Sequence, residues 1–162
     1  MREHVDDELQ RAERIRVRGL RPEDFEDVVA VDQKNVGRRR EEFFRVKLAE
    51  NLAATGIRVS LAAELDGAFV GFLLARVLYG EFGRTEPAAV LDTLAVHPDF
   101  QGQGVGTALL AQLRRNLAGL GVGSIQTEVA WRDQRLMAFF QHEGFRPAAR
   151  FALDLDLSTP SP

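Results

Sequence analysis

The chain lacks cysteine altogether among its 162 residues. That excludes disulfides, thiol nucleophiles and cysteine-based metal sites, and it is compatible with a reducing cytoplasm, the compartment expected here. No run of about 18 apolar residues occurs, so no membrane-spanning helix is expected. Residues Met1 to Glu13 are charged throughout and have no apolar centre of the signal-peptide kind. A basic excess is also missing: 21 basic residues face 24 acidic ones, for a net charge of −3. A broad nucleic-acid surface normally shows such an excess, so none is expected. The basic cluster Arg38-Arg39-Arg40 reads either as a solvated helix start or as a patch attracting phosphates or an acidic partner. His4, His97 and His142 have no metal-ligand spacing, and no metal is expected.

What is present is a glycine-rich turn, Gln101-Gly102-Gln103-Gly104-Val105-Gly106, between a strand-like run and a helix-like run. The first amides of a helix have no internal partners, and the helix dipole adds positive charge there. Glycine removes side chains that would hold a diphosphate away, and it permits a left-handed backbone. A nucleotide-type cofactor is therefore expected at Gln101 to Gly106. The P-loop pattern fails because no lysine stands in register. The dinucleotide pattern fits Gly102 and Gly104 but meets Thr107 where its third glycine belongs. A (Gln/Arg)-x-x-Gly-x-(Gly/Ala) pattern matches Gln101, Gly104 and Gly106 at every fixed position. A ligand-free glycine turn is the remaining alternative.

Hydrophobic periodicity divides the chain into elements. Residues 1–14 read as a flexible leader, 15–157 as one domain and 158–162 as a tail. Ile15 to Arg18 alternates as a strand; Pro22, Glu23 and Asp24 open a helix. A second helix is expected over Arg39 to Ala54, with Phe44, Leu48 and Leu52 on one face. Strands are expected at Val59 to Leu65 and Ala68 to Leu78, joined by the hairpin signal Asp66-Gly67, and at Ala89 to Val96. A helix over Thr107 to Leu117, a strand over Ser124 to Ala130 and a helix over Asp133 to Glu143 follow. Alternation of Phe151, Leu153, Leu155 and Leu157 with small or acidic residues predicts a half-buried final strand. The class is α/β, of α+β mixed-sheet type. A central mixed, mostly antiparallel sheet is expected, with a parallel βαβ unit around Gly104 and flanking helices.

Leu94-Ala95-Val96-His97-Pro98-Asp99-Phe100 with the following glycine turn resembles the GNAT superfamily of acyl-CoA-dependent N-acyltransferases. Asp133 to Phe145, ending Phe140-x-x-x-Gly144-Phe145, resembles that family's last helix. The resemblance covers roughly residues 14 to 157. It implies acetyl-CoA or a related acyl-CoA as cosubstrate. It assigns the pyrophosphate to amides around Gln103 to Thr107, and the pantetheine arm to the backbone of Leu94, Ala95 and Val96 as an added strand. Gln101, Gly102, Gln103, Gly104, Val105, Gly106, Thr107, Asp133 and Phe140 complete the expected cofactor set. The Leu94 amide would face the thioester carbonyl, a donor worth about 3 kcal/mol in a transition state.

The chemistry needs a neutral amine, and a lysine-like amine titrates near 10.4, so a base is required. Asp92, expected on the strand face shared with Leu94 and Val96, is the first candidate; a carboxylate that caps or salt-bridges within the sheet is the alternative reading. Glu128, expected within the neighbouring strand, is a second carboxylate, ahead of Glu64 and Glu81. Family members often carry tyrosine where Phe140 stands, as the acid for the leaving thiolate. Phenylalanine cannot serve, which leaves water, no acid, or Tyr79, the only tyrosine. Many members also carry asparagine at the place of Asp133, whose charge puts its contact with the cofactor in doubt while leaving it a helix cap. The implied activity is acetyl transfer from acetyl-CoA to a primary amine by direct attack in a ternary complex. The acceptor is either a small amine or a protein lysine or N-terminus, with Phe43, Phe44, Tyr79, Phe82 and Trp131 as candidate lining. The alternative is an acyl-CoA-binding sensor without turnover. A homodimer is the partner the family resemblance adds; nucleic acid and membrane are not expected.

Overall fold

The computed structural model describes residues 5–7, 10, 13–52, 57–80 and 83–158. They belong to two compact units, Met1–Glu128 and Val129–Pro162, taken in turn below. The expected positions His4, Glu81, Phe82, residues 53–54 and residues 159–162 lie outside the described residues. Of the leader, residues 5–7, 10, 13 and 14 are helical.

The first unit carries a five-stranded sheet in sequential order. Strand β1 (Ile15–Gly19) leads through a 3-10 turn (Pro22–Asp24) into helix α1 (Phe25–Val36), and helix α2 (Glu41–Asn51) follows. Strands β2 (Leu61–Leu65), β3 (Ala68–Leu78) and β4 (Ala88–Val96) come next, then helix α3 (Val105–Gly119) and strand β5 (Ile125–Thr127). The first three pairings are antiparallel and β4–β5 is parallel, as the crossover through α3 requires. Asp66 and Gly67 both take positive φ, 51° and 83°, which matches their hairpin turn to the twist of β2 and β3.

Strand β3 is buried from Val70 to Ala75, so both faces of the sheet are covered. On one face Val28, Val29 and Val31 of α1 and Phe44 and Leu48 of α2 pack with Ala62, Phe72 and Leu74. Phe44 meets Phe72 edge-on at 5.8 Å. On the other face α3 buries Leu109, Leu110, Leu113 and Leu117, each contributing about 1.5–3 kcal/mol. The turn after β1 is held by Arg18, whose guanidinium binds both oxygens of Asp24 at 2.8 Å and Glu64 at 2.8 Å. Burial works to raise the Asp24 carboxyl, but hydrogen bonds from Arg18 and the Arg21 amide outweigh it and hold the group below the usual carboxylate range. The arginine cluster is largely consumed internally. Arg39 pairs with Glu26 and Glu41, and Arg40 grips Asp32 at 2.5 and 2.9 Å while lying over Phe43.

In the second unit, helix α4 (Gln134–His142) is capped by Asp133, whose Oδ1 accepts from the Leu136 amide at 3.0 Å. Gly144 takes φ 91° and ends it. Two expectations fail. Strand β5 stops at Thr127 instead of running to Ala130, because its pairing with β4 stops there. Residues 151–157 form no strand: Phe151, Leu153, Leu155 and Leu157 stand 83–94% exposed. Period-two alternation specifies a face for burial, and among the described residues no strand pairs with this one.

Candidate active site

Strands β4 and β5 part in the middle of β4. Their last matched pair is Leu91 with Thr127, sealed by Thr127 Oγ1 donating to the Leu91 carbonyl at 2.9 Å. From Asp92 to Val96, β4 stays paired with β3 but has no strand neighbour on its other edge among the described residues. Such an edge offers backbone donors and acceptors to an extended ligand. Leu94, Ala95 and Val96 lie on it.

The strand's end is fixed by side chains from elsewhere. The Val96 carbonyl accepts from Asn35 Nδ2 and from Gln101 Nε2, both at 3.0 Å. Gln101 Nε2 also donates to Asn35 Oδ1 at 2.8 Å. Gln101 thus braces the loop against α1 and β4. A short 3-10 turn (Pro98–Phe100) follows, with the His97 ring accepting from the Asp99 amide. Gln103 Nε2 donates to the Asp99 carbonyl at 3.2 Å, a second brace. Gly102 and Gly104 take φ 76° and 87°, and Gly104 caps α3.

Backbone pairing through the turn has a gap. The Gln101 amide donates to Pro98 at 3.4 Å, and the next amide of the turn with a protein acceptor outside Thr107 is Ala108, bonded to Gly104 at 2.9 Å. Among the described residues no acceptor faces the amides of Gly102 to Gly106. A Cβ built on Gly102 or Gly104 meets nothing within 4 Å, so the space at these two α-carbons is open. Those features fit a diphosphate held on bare backbone. Gly71 of β3 makes the arrangement possible from behind. A Cβ there would meet the Ala95 carbonyl at 3.0 Å and Val105 Cγ1 at 3.1 Å, so any side chain would push β4 or the start of α3 away from β3.

Asp92 departs from its expected face. Leu74 pairs with Thr93 and Ala75 with Leu91, which leaves Asp92 as the extra residue of a β-bulge. Leu94, opposite Leu73, and Val96, opposite Gly71, face α3. Asp92 instead reaches Arg76, two positions along from Leu74 on the α1–α2 face. Arg76 Nε donates to Asp92 Oδ2 at 3.1 Å, with the side chains 45% and 13% exposed. The ion pair weighed for Asp92 from sequence is therefore formed, and the bulge aims the carboxylate at the face opposite Leu94. Glu128 is exposed and sits just past β5, not inside it; the parallel register sets it level with Asp92 where the strands part. Tyr79 is 60% exposed beyond the far end of β3. It lies four residues past Ala75, roughly 13 Å along the strand from the position facing Asp92.

Of the other candidates, Glu64 is held by Arg18, Phe44 is core and Phe43 is half-exposed. In the second unit, Asp133 uses a carboxylate oxygen as helix cap. Phe140 is buried, its ring 5.5 Å from Phe139 and 4.9 Å from Phe145, and Trp131 is exposed. Among the described residues, no group of three or more His, Cys, Asp or Glu is placed to hold a metal. Sequence reasoning missed Asn35, Gly71 and Arg76. Only Gly71, an isolated glycine in a strand pattern, carried a local signal of close backbone approach.

The sequence model of the Acetyltransferase (GNAT) family matches residues 19–145. A mycothiol acetyltransferase of Propionibacterium freudenreichii subsp. shermanii is 31% identical over 140 residues, covering 82% of this chain and 43% of that protein. An aminoglycoside N(6')-acetyltransferase type 1 of Stenotrophomonas maltophilia is 31% identical over 106 residues, covering 64% and 69%. The chain therefore spans less than half of the first of these relatives. Among solved structures, the aminoglycoside N-acetyltransferase AAC(6')-Iy in complex with CoA superposes with a TM-score of 0.73 at 19% identity, over 88% of this chain and 95% of that one. The ribosomal-protein-S18-alanine N-acetyltransferase of Escherichia coli gives 0.68 at 24% identity, over 83% and 79%. At these identities the superpositions speak for the fold.

Proposed function

The chain belongs to the acetyltransferase (GNAT) family, and from that premise we propose that it transfers an acetyl group from acetyl-CoA to a primary amine by direct attack in a ternary complex. The observation that carries this reading is the run of amides at Gly102 to Gly106 that have no acceptor among the described residues, following the open edge of β4 in the chain. Those amides would hold the pyrophosphate, and the backbone of Leu94 to Val96 the pantetheine arm. When bound, acetyl-CoA supplies an activated acyl carbon on a thioester. The chain's own part is to align it, to present an amide donor from β4 to its carbonyl oxygen, and to take a proton from the acceptor ammonium. Asp92 is the base, acting directly or through one water. Glu128, level with it, would orient that water or the acceptor. The braces on Gln101, Gln103 and Val96 keep the donor groups fixed before ligand arrives, so little ordering cost remains on binding.

The acceptor is a small amine in preference to a protein amine. Mycothiol and aminoglycosides are named in the relatives that show 31% identity, whereas the ribosomal-protein enzyme is related in fold. Phe140 favours a second reading, an acyl-CoA sensor without turnover, because no phenol stands there to protonate a leaving thiolate and Tyr79 lies away from Asp92. A homodimer is supported by the four apolar side chains exposed over 151–157, which association would cover. The cytoplasm remains the proposed compartment.

The test pairs calorimetric titration of CoA with release of CoA thiol against a panel of small amines. Binding with turnover supports the transferase, binding without turnover supports the sensor, and no binding removes both. Asp92→Asn is expected to lower turnover by about 10²-fold or more and to leave CoA affinity unchanged. Turnover at the full rate would make Asp92 structural.

A further inference from the structure

We infer that Arg76 is a positioning residue that aims the Asp92 carboxylate at the acceptor, a role resting on the reading of Asp92 as the base. Asp92 is the unmatched residue of the bulge, so the hydrogen-bond ladder on either side does not set the direction of its side chain. Its contact with another side chain is the bond from Arg76 Nε to Oδ2 at 3.1 Å. That bond occupies one carboxylate oxygen from one side and leaves Oδ1 to accept a proton. The carboxylate is only 13% exposed, so water alone would orient and solvate it poorly.

The pair differs from the structural ion pairs of this chain. Arg18 binds Asp24 through two nitrogens and adds Glu64, and Arg40 binds Asp32 through two nitrogens. Those forks tie elements of the fold together across buried ground. Arg76 touches Asp92 through Nε alone, from a neighbouring strand already paired to β4, and it is 45% exposed. A single-contact pair whose arginine is half-exposed contributes less to stability than those forks, and the two strands need no further fastening. What the bond does supply is a fixed carboxylate where β4 and β5 separate, on the face lined by α1 and α2. Misplacing a catalytic group by about 1 Å can cost 10²-fold in rate, which is the scale on which the bond acts. A lysine would reach the same oxygen without the rigid planar Nε–H.

Arg76→Ala, Arg76→Lys, Asp92→Asn and the Arg76→Ala/Asp92→Asn pair are compared for kcat and acceptor KM with the fastest amine of a panel containing kanamycin and spermidine. CoA affinity is measured by calorimetry and stability by thermal unfolding. Arg76→Ala is expected to lower kcat at least tenfold, with CoA affinity, acceptor KM and unfolding temperature near those of the parent. Arg76→Lys should fall between, added guanidinium should restore part of the Arg76→Ala rate, and the double variant should be no slower than Asp92→Asn. A full kcat in Arg76→Ala, beside a slow Asp92→Asn, overturns the role of Arg76 alone. A fall of kcat together with CoA affinity and unfolding temperature also overturns it, as the mark of a structural part. A full rate in Asp92→Asn, or no turnover by the parent with any amine, overturns the base assignment and this inference with it.

Discussion

Replacing Gly104 by alanine isolates the amide cradle from the fold around it, because Gly67 provides a matched control. Both glycines are left-handed, at φ 87° and 83°, and a Cβ on either meets nothing within 4 Å. The strain of placing an L-residue there is about 1–2 kcal/mol in each case. For a chain of this size that lowers the unfolding temperature by roughly 2–8 °C, about equally for the two variants. The ligand effect should differ. At Gly104 the new methyl enters open space at the turn whose amides have no acceptor among the described residues, whereas Gly67 lies in the β2–β3 hairpin. A hydrogen bond to a charged group is worth about 1.5–3 kcal/mol, so losing one such bond raises the Kd for CoA by roughly 10- to 150-fold. Calorimetric titration with CoA, read beside thermal unfolding of both variants, makes the comparison. Equal CoA affinity in Gly104→Ala, Gly67→Ala and the parent would refute the assignment of these amides to the pyrophosphate.

Gly71→Val should destabilise the protein by more than 2 kcal/mol, since even a Cβ would sit 3.0 Å from the Ala95 carbonyl; chemical denaturation measures it, and an unchanged midpoint would show that β4 and α3 can shift. Asp24 gives a pH signature. Its carboxyl is held below the usual range, against burial, by Arg18 and the Arg21 amide, so its contribution is complete above the unfolded pKa of about 3.9 and is lost as pH falls through the lower folded value. Asp24→Asn should therefore cost about 3 kcal/mol at pH 7 and progressively less in acid, read by denaturation at several pH values. A penalty independent of pH would contradict this. If the proposed homodimer forms through residues 151–157, the parent should sediment as a dimer and the Leu153→Ser/Leu155→Ser variant as a monomer, and equal sedimentation coefficients would show that these residues do not mediate association.

Local chemistry made most of the first unit readable. The Asp66-Gly67 hairpin, the strand Ala68–Leu78 and the leucine spacing of α3 depend on neighbours within one or two turns. The glycine turn was readable for the same reason. The side chain of Asp92 was not, because its direction depends on a register shift against Leu74 and Ala75 in another strand. A single inserted residue exchanges the two faces of a strand, and nothing near Asp92 in sequence signals the shift. Glu128 shows the same dependence. Its segment has a strand composition, but strand β5 lasts only as long as β4 stays beside it. Residues 151–157 present the clearest alternation in the chain and form no strand among the described residues. Alternation specifies a face and says nothing about which edge, in which molecule, receives it.

On the function proposed above, the bulge at Asp92 would let one strand serve two ligands. Without it, Asp92, Leu94 and Val96 would share the face that α3 covers. With it, the backbone of Leu94 to Val96 remains free at the open edge, while the carboxylate points to the α1–α2 side beside Arg76. The open backbone edge and the carboxylate are then held apart, the first by the β3 ladder and the second by Arg76 of the same strand. Moving β4 by one residue against β3 would disturb both at once. The close fit of Gly71 against Ala95 and Val105, and the Asn35–Gln101 brace on Val96, oppose that movement.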